Sequence, residues 1–336
     1  MKYFGQHSDI KTSHSKTGVL IANLGTPDAP KCPKLRNYLT EFLTDPRVIE
    51  LPYLLRQFLV RGIIINVRSH KSAAAYRTVW TDEGSPLMVH SVDLSNKIQQ
   101  SIGDNFIVKI GMRYGNPSID SAIKSLHEAG CRKLIILPMY PQYSGSTTGS
   151  IMDAVGESLK KIRWVPSLHF INEYYSNQSY ITALCNSIKQ HWDKNGRAEK
   201  LIFSFHGIPQ RYVRNGDPYQ HHCEATVTAV ASQLDLNKDD YLLVYQSRVG
   251  KEPWLQPYCD ETMKSLPDQG IKNVDVICAG FSADCLETIE EIDEENKEYF
   301  LSAGGESYQY IPCLNSHEDH IKMASEIIHK TAKAFA

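Results

Sequence analysis

The sequence predicts an α/β protein made of two similar open units, each a parallel sheet flanked by helices. Two observations support this fold class. Short apolar runs rich in β-branched residues alternate with helical patterns along the chain. One ten-residue pattern also occurs twice, since residues 18–27 read GVLIANLGTP and residues 200–209 read KLIFSFHGIP. Each copy is an apolar strand followed by Gly-x-Pro, so we expect two related units.

The elements follow in order from this alternation. Strands are expected at 18–23, 106–113, 133–138, 164–170, 200–205, 241–246, 274–279 and 307–311. Helices are expected at 33–44, 117–129, 147–161, 178–195, 222–234, 257–266, 285–300 and 318–336. The predicted domains are a polar N-terminal extension at 1–17, a first domain at 18–162, a second domain at 163–315 and a C-terminal helix at 316–336.

Composition excludes several classes of protein. The 336 residues carry a net charge of −2, which argues against nucleic acid as a partner. No apolar run reaches the roughly 18–20 residues of a spanning helix, and the polar start lacks the apolar stretch of a signal peptide. The eight cysteines include no C-x-x-C pair, which fits reduced thiols. We therefore expect a cytoplasmic protein.

The most informative stretch is the end of the strand expected at 200–205. His206 follows it directly, and Gly207 and Pro209 form a sharp corner behind the imidazole. A histidine held at a strand end is well placed to act as a base or as a metal ligand. Because open parallel sheets bind ligands at the carboxyl ends of their strands, the other strand ends should join it. Those ends are mostly aromatic or apolar, which predicts a large, flat, apolar ligand.

A second informative stretch is the acidic helix expected after the strand at 274–279. Asp284 is a candidate helix cap, and Glu287 would lie in the first turn. Glu287, Glu291 and Glu295 are spaced i, i+4, i+8, a row that drifts by about 40° per step on an ideal α-helix. A π-bulge would bring the three nearly into line. The row is either a track for a divalent cation or a solvated acidic face.

Residues 51–63 carry an amphipathic helical stripe with Leu54, Leu55, Phe58 and Ile63 on it. Three interpretations remain open: packing against the domain core, an apolar lip over the ligand, and contact with a membrane surface.

Six blocks, in order, resemble the ferrochelatases, which insert ferrous iron into a porphyrin. They read ANLGTP at 22–27, EGSPL at 83–87, GMRY at 111–114, PQYSGSTTG at 141–149, SRVG-x-x-PWL at 247–255 and D-x-x-ET at 284–288, together with the His206 stretch up to Tyr219. The resemblance covers residues 18 to about 320. It implies two Rossmann-like domains of chelatase type with a porphyrin cleft between them.

The resemblance also implies roles for individual residues. His206 and Glu287 would be the catalytic and metal-binding pair, with Glu291 and Glu295 as outer relays. The substrate-binding positions would be Leu24, Arg113, Tyr114, Tyr140, Ser144, Thr147, Thr148, Tyr219, Trp254 and Phe281. Residues 51–77 would form the pocket lip, and 51–67 could make transient contact with the surface of the inner membrane.

Two departures from the animal members affect the expected cofactors. Gly145 stands where those enzymes have a cluster-binding cysteine, and no cysteine-rich tail precedes Ala336. We therefore expect no iron–sulfur cluster and no permanently bound cofactor, as in the Gram-negative bacterial type. Cys285 replaces a second histidine, so any role of that histidine is absent or altered here.

The expected reaction is insertion of Fe²⁺ into protoporphyrin IX, a lyase reaction that releases two protons and yields protohaem in the last step of haem biosynthesis. An imidazole, with an unperturbed pKa of about 6.5, suits the base, and Fe²⁺ accepts imidazole and carboxylate ligands. His206 and Glu287 could exchange these two roles. Alternatives are a chelatase for cobalt or for coproporphyrin III, and a non-catalytic tetrapyrrole- or metal-binding protein. We expect a monomer.

Overall fold

The computed structural model describes residues 3–4 and 16–335. The N-terminal extension predicted at 1–17 falls almost wholly outside these residues. Within them the chain forms two compact units. The first comprises the described residues up to Met139, then Gly145–Glu173 and the residues from Ile321 onward, and the second comprises Tyr140–Ser144 and Tyr174–His320.

The described residues form eight strands, each at a position that the sequence predicts. They are β1 (Thr17–Thr26), β2 (Phe106–Gly115), β3 (Lys133–Pro138), β4 (Ser167–Phe170), β5 (Lys200–His206), β6 (Tyr241–Gln246), β7 (Asn273–Ile277) and β8 (Ser307–Ile311). The strands form two four-stranded sheets, ordered β2-β1-β3-β4 and β6-β5-β7-β8, and every pairing between neighbouring strands is parallel. The α/β fold class with two similar sheets is therefore confirmed.

The repeated pattern has a structural meaning. Its two copies are β1 and β5, which occupy the same place in the two sheet orders. Both strands have neighbours on either side and are buried, because parallel sheets are covered on both faces. In each sheet the chain moves from this strand to one neighbour and then crosses to the other side, which creates a switch point at the carboxyl end of the strand.

Thirteen α-helices are found in the described part of the chain. They are α1 (Cys32–Leu43), α2 (Tyr53–Phe58), α3 (Ile65–Val79), α4 (Pro86–Ile102), α5 (Ile119–Glu128), α6 (Ser150–Leu159), α7 (Gln178–Asn195), α8 (Gln210–Arg214), α9 (Tyr219–Gln233), α10 (Cys259–Ser265), α11 (Leu286–Thr288), α12 (Lys297–Ser302) and α13 (Glu318–Ala332). Three π-helical segments continue or precede them: Leu59–Ile64, Gly145–Gly149 and Ile289–Asn296. Short 3₁₀ turns occupy Lys238–Asp240, Pro267–Gln269 and Lys333–Phe335.

The amphipathic segment is helical as predicted, but its apolar stripe does not pack against a core. Leu54 is 80% exposed and Phe58 is 69% exposed, whereas Arg56 is buried and donates through Nη1 to the carbonyl oxygen of Leu51 at 2.7 Å. Packing of this stripe against the domain core was therefore the wrong alternative. The exposed side chains leave the pocket-lip and membrane-surface alternatives open.

Asp284 does not cap the acidic helix. Cys285 occupies the N-cap position instead, and its backbone N–H donates to Thr288 Oγ1 at 2.9 Å. The Asp284 carboxylate accepts hydrogen bonds from the side chains of Tyr310, in β8, and Asn315, in the loop after it. The sequence prediction failed because an acidic residue before a helix can accept hydrogen bonds from tertiary partners as well as from the helix.

Within the described residues, no helix is long and apolar enough to cross a membrane.

Candidate active site

The His206 imidazole lies at the carboxyl end of β5. The strand is buried from Leu201 to Phe205, and the imidazole is the first side chain to become partly exposed. Gly207 follows at a position where a side chain would be crowded: a Cβ would lie 3.0 Å from the carbonyl oxygen of Gln246 and 3.3 Å from the ring of Trp254. Gly207 thus lets the chain turn close against β6 directly behind the imidazole.

One hydrogen bond sets the chemistry of the imidazole. His206 Nδ1 lies 2.7 Å from the carbonyl oxygen of Gly207. A carbonyl oxygen only accepts, so Nδ1 carries the proton and the Nε2 lone pair is available to take a proton or bind a metal.

The acidic helix follows β7, the strand that pairs with β5 in the same sheet. After β7, the chain forms α11, one turn that carries Glu287, and continues as a π-helix from Ile289 to Asn296. The sequence spacing had indicated that a π-bulge would align the three glutamates, and the helix is π over the segment that carries two of them. Glu287 is partly exposed, and its carbonyl oxygen accepts from Gln246 Nε2 at 2.8 Å.

Glu291 lies in the same site and is held by the end of β6. The Ser247 N–H donates to Oε1 at 2.7 Å, the Ser247 hydroxyl donates to Oε2, and Gln246 Nε2 lies 3.3 Å from Oε2. Burial raises the pKa of Glu291, and the hydrogen bond from Ser247 and the charge of His206 oppose that rise. The charge of Glu287 adds to it. The charges of His206 and Glu287 thus both influence the Glu291 carboxylate.

Glu295, the third carboxylate of the row, is exposed and accepts a hydrogen bond from the Tyr299 hydroxyl at 2.6 Å. The structure thus separates it from the hydrogen-bonded group around Glu291. Its role as an outer relay stays a prediction.

Gln246 and Ser247 belong to this site, although sequence reasoning did not select them as site residues. Ser204 Oγ donates to Gln246 Oε1 at 2.8 Å, which fixes the amide so that its Nε2 faces the acidic helix. Ser247 has a φ of +65°, in the left-handed region that non-glycine residues seldom adopt. The available signal was the Gln-Ser pair at the carboxyl end of the strand next to β5.

The predicted substrate-binding residues fall in both units. Leu24, Arg113, Tyr114, Thr147 and Thr148 belong to the first unit, and Tyr140, Ser144, Tyr219, Trp254 and Phe281 belong to the second. Trp254 lies beside the site just described, with its ring centroid 6.4 Å from that of His206. Ser144 donates to Asp217 Oδ2 at 2.9 Å. Substrate contact at all ten positions stays a prediction.

Arg113 and Tyr114 are part of a buried network in the first unit. The Arg113 guanidinium forms an ion pair with Asp45, and the Tyr114 hydroxyl donates to the same carboxylate at 2.8 Å. Burial alone would raise the pKa of Asp45, but hydrogen bonds from Ser150 and the Arg47 N–H, with the charge of Arg113, outweigh it and lower that pKa. Tyr114 is only 1% exposed, so its contacts here are those of a buried structural group.

The two consecutive histidines His221 and His222, at the start of α9, make structural contacts. α9 begins at Tyr219, and His222 is buried with its ring stacked on Tyr175 at a centroid distance of 3.8 Å. Its Nδ1 lies 3.2 Å from the backbone N–H of Tyr143. In the part of the chain that the structure describes, no three His, Cys, Asp or Glu side chains are grouped so as to hold a metal ion.

Comparisons with known proteins show which family the chain belongs to. The ferrochelatase family model matches residues 16–332. Ferrochelatase from Pseudoalteromonas atlantica is 51% identical over 334 residues, covering 98% of this chain and 93% of that protein. Ferrochelatase from Idiomarina loihiensis is 49% identical, covering 100% and 93% respectively.

Among solved structures, the sirohydrochlorin chelatase SirB from Bacillus subtilis subspecies spizizenii, in complex with cobalt, shares the fold with a TM-score of 0.57. The alignment covers 95% of this chain and 96% of that one at 8% identity, which shows likeness of fold alone. The extent and identity of the sequence matches go further: this chain belongs to the ferrochelatase family.

Proposed function

We propose that this protein inserts Fe²⁺ into protoporphyrin IX, giving protohaem and releasing two protons, as the last step of haem biosynthesis. Membership of the ferrochelatase family supports the reaction. The observation that supports a role for His206 and Glu287 is that His206 ends β5 and Glu287 lies in α11, which follows the adjacent strand β7. This is the switch point of the second sheet, where open α/β sheets bind ligands.

His206 takes pyrrole protons in this proposal. Its Nδ1–H is engaged with the Gly207 carbonyl, which orients the ring and leaves Nε2 as the basic atom. Each pyrrole N–H bond that breaks gives its proton to such a base and leaves its electron pair on the ring nitrogen. Two such transfers create the dianion that receives the metal.

Glu287 binds the incoming Fe²⁺ together with His206. One imidazole and one carboxylate are suitable ligands for Fe²⁺ but form a weak set, which suits a metal that must move on to the porphyrin. Glu291 serves as the next carboxylate and stabilises positive charge at His206, because Gln246 and Ser247 hold its oxygens in the same site. Glu295 is the outermost relay.

The remaining features of the proposal concern the setting of the reaction. The protein works as a monomer in the cytoplasm, classed as a lyase, with iron as its substrate and with neither an iron–sulfur cluster nor another resident cofactor. The free state of all eight cysteines, each in the described residues, suits a reducing compartment. The exposed apolar residues of α2 and the π-turn after it supply the pocket lip and a transient contact with the inner membrane surface.

Anaerobic mixing of the purified protein with Fe²⁺ and protoporphyrin IX tests the proposal. We expect haem absorbance to appear catalytically, and more slowly when coproporphyrin III replaces protoporphyrin IX or Co²⁺ replaces Fe²⁺. Faster turnover of coproporphyrin or of cobalt would assign a different chelatase substrate. Porphyrin binding without any metal insertion would contradict the enzymatic function.

A further inference from the structure

The loop that leads from β7 to Glu287 ends at a buried carboxylate with unusually many donors. Asp284 is 7% exposed, and its Oδ1 accepts from the Tyr310 hydroxyl at 2.6 Å and from the Cys313 N–H at 3.2 Å. Its Oδ2 accepts from Asn315 Nδ2 at 2.7 Å. The Thr288 hydroxyl lies 3.2 Å from Oδ1. Three of these four donors come from the end of β8 or the loop after it.

Asn315 returns the contact and fixes the backbone as well as the side chain. Its Oδ1 accepts from the Asp284 N–H at 2.8 Å, so the two residues share a pair of reciprocal hydrogen bonds. The Asn315 N–H donates to the Ser282 carbonyl at 3.0 Å. The residue has a φ of +46°, a conformation that asparagine tolerates better than most residues, and its carbonyl oxygen accepts from His320 Nδ1 at 2.5 Å.

These contacts immobilise the single turn that carries Glu287 from one side. From the other side, Gln246 Nε2 on β6 donates to the Glu287 carbonyl. The backbone of Glu287 is therefore held between the two flanks of the sheet. Removing one partner of a buried carboxylate leaves a charge underpaired and lets the segment shift.

We infer that Asn315 and Tyr310 are positioning residues for metal insertion, acting through Asp284 to hold Glu287 opposite His206. Neither residue touches iron or porphyrin in this scheme. The inference rests on the proposed role of Glu287. Catalysis depends steeply on such placement, since a misplacement of about 1 Å can cost around a hundredfold in rate.

Two mild substitutions test the inference. Tyr310→Phe removes only a hydroxyl, and Asn315→Gly removes the amide but keeps access to the left-handed backbone. For each variant we would measure kcat, the KM for protoporphyrin, the KM for Fe²⁺ and the thermal unfolding midpoint. We expect kcat to fall about tenfold to a hundredfold, the KM for Fe²⁺ to rise, and the KM for protoporphyrin to stay within about twofold.

Asn177→Ala is the matched control. Asn177 caps α7 in the same unit, where its side chain accepts from the N–H groups of Ser179 and Tyr180. Its loss should lower the unfolding midpoint by a similar amount without changing kcat per folded molecule. A purely structural role for Asn315 and Tyr310 predicts that their variants behave like this control.

The outcomes separate this inference from the proposed function. If the wild type inserts iron and Glu287→Gln does not, while both positioning variants keep full kcat or lose only affinity for protoporphyrin, the positioning role is wrong and the function stands. If Glu287→Gln retains wild-type kcat, the proposed role of Glu287 is wrong and the inference falls with it.

Discussion

The orientation and tautomer of the His206 imidazole depend on Gly207, the next residue in the sequence. The carbonyl of Gly207 accepts from Nδ1, and glycine is favoured at this position because a Cβ would crowd Gln246 and Trp254. The same residue thus allows the turn and selects the tautomer. Two consecutive residues thus fix which ring nitrogen of His206 carries the proton.

Ser247 combines an unfavourable backbone conformation with a functional contact. At a φ of +65° it gives both its N–H and its hydroxyl to Glu291. We expect Ser247→Gly and Ser247→Ala both to lower kcat, because each loses the hydroxyl donor. The alanine variant should be less stable than the glycine variant by about 1 kcal/mol, the penalty for a Cβ in the left-handed region. Thermal unfolding with an activity assay checks both effects; equal stability of the two variants would contradict the strain.

The sequence predicts His206 and Glu287 but not the residues between them, Gln246 and Ser247. His206 and Glu287 can be found because each follows a recognisable buried strand, and the ligand rule for parallel sheets then brings them together. Gln246 and Ser247 could not be found in this way, because they contact the site through hydrogen bonds to Glu291, which lies 45 and 44 residues later in the chain. Tyr114 shows the limit of the same rule. It lies near a strand end, but its side chain is buried and its hydroxyl donates to Asp45.

The acidic helix illustrates how an element can serve the site at a cost to its own regularity. Like charges four apart weaken an α-helix, and the π-helix from Ile289 to Asn296 provides a different spacing. Deleting the exposed Glu294 should return the segment to α-helical geometry and turn Glu291 away from Ser247. We expect kcat to fall more than about tenfold, a barrier change above roughly 1.4 kcal/mol.

Glu294→Ala is the control for that deletion, because it keeps the length of the π-helix and alters only an exposed side chain. Steady-state assays of iron insertion compare the two. Full kcat in the deletion variant would show that the π geometry does not matter for the reaction.

Substitutions in the exposed apolar stripe of α2 and the following π-turn should weaken porphyrin binding without lowering the stability of the fold. Phe58 is 69% exposed, so Phe58→Ser removes little buried area. If the stripe forms the pocket lip, the KM for protoporphyrin should rise several-fold while kcat and the unfolding midpoint stay unchanged. Leu301→Ser, on the exposed side of α12, is the control. An unchanged KM would remove Phe58 from the lip.

Element boundaries show where local signals suffice. The eight strands follow from apolar runs, but α4 was not expected, although Ser85 caps it and Pro86 is its first residue. The short α8 lies in a stretch that its turn-forming residues predict to be a loop, because five residues of helix give too little periodicity to detect. Arg56 is buried on the side of α2 that the apolar stripe leaves free, and no pattern in the sequence predicts that.

At the scale of the whole molecule, two similar sheet-containing units were predicted from a ten-residue repeat. The repeat aligns β1 with β5, and the structure shows that all four strands of each sheet follow the same order. In the described residues, the position of β1 that aligns with His206 carries Leu24 in place of an imidazole, next to Asn23, whose Nδ2 donates to Ser91 at 3.2 Å. One fold unit thus occurs twice in the described residues with different chemistry at the equivalent strand end.

Global stability should depend on pH through His320. Burial lowers its pKa from 6.5 to about 4. The unfolded state therefore binds the extra proton between these values, and the unfolding free energy falls as pH drops from 6.5 toward 4, by about 3 kcal/mol. Denaturant unfolding at several pH values measures the slope. His320→Gln should flatten the curve in this window, and an unchanged slope in that variant would contradict the assignment.

The most direct test of the account is iron insertion by His206→Ala. Anaerobic haem formation from Fe²⁺ and protoporphyrin IX would be measured beside porphyrin binding by fluorescence quenching, with His221→Ala, at an exposed position 15 residues later, as the control. We predict that His206→Ala binds protoporphyrin but forms no haem, and that the control matches the wild type. A His206→Ala variant that keeps more than about a tenth of the wild-type kcat, a barrier change below ~1.4 kcal/mol, would contradict the central role of this imidazole.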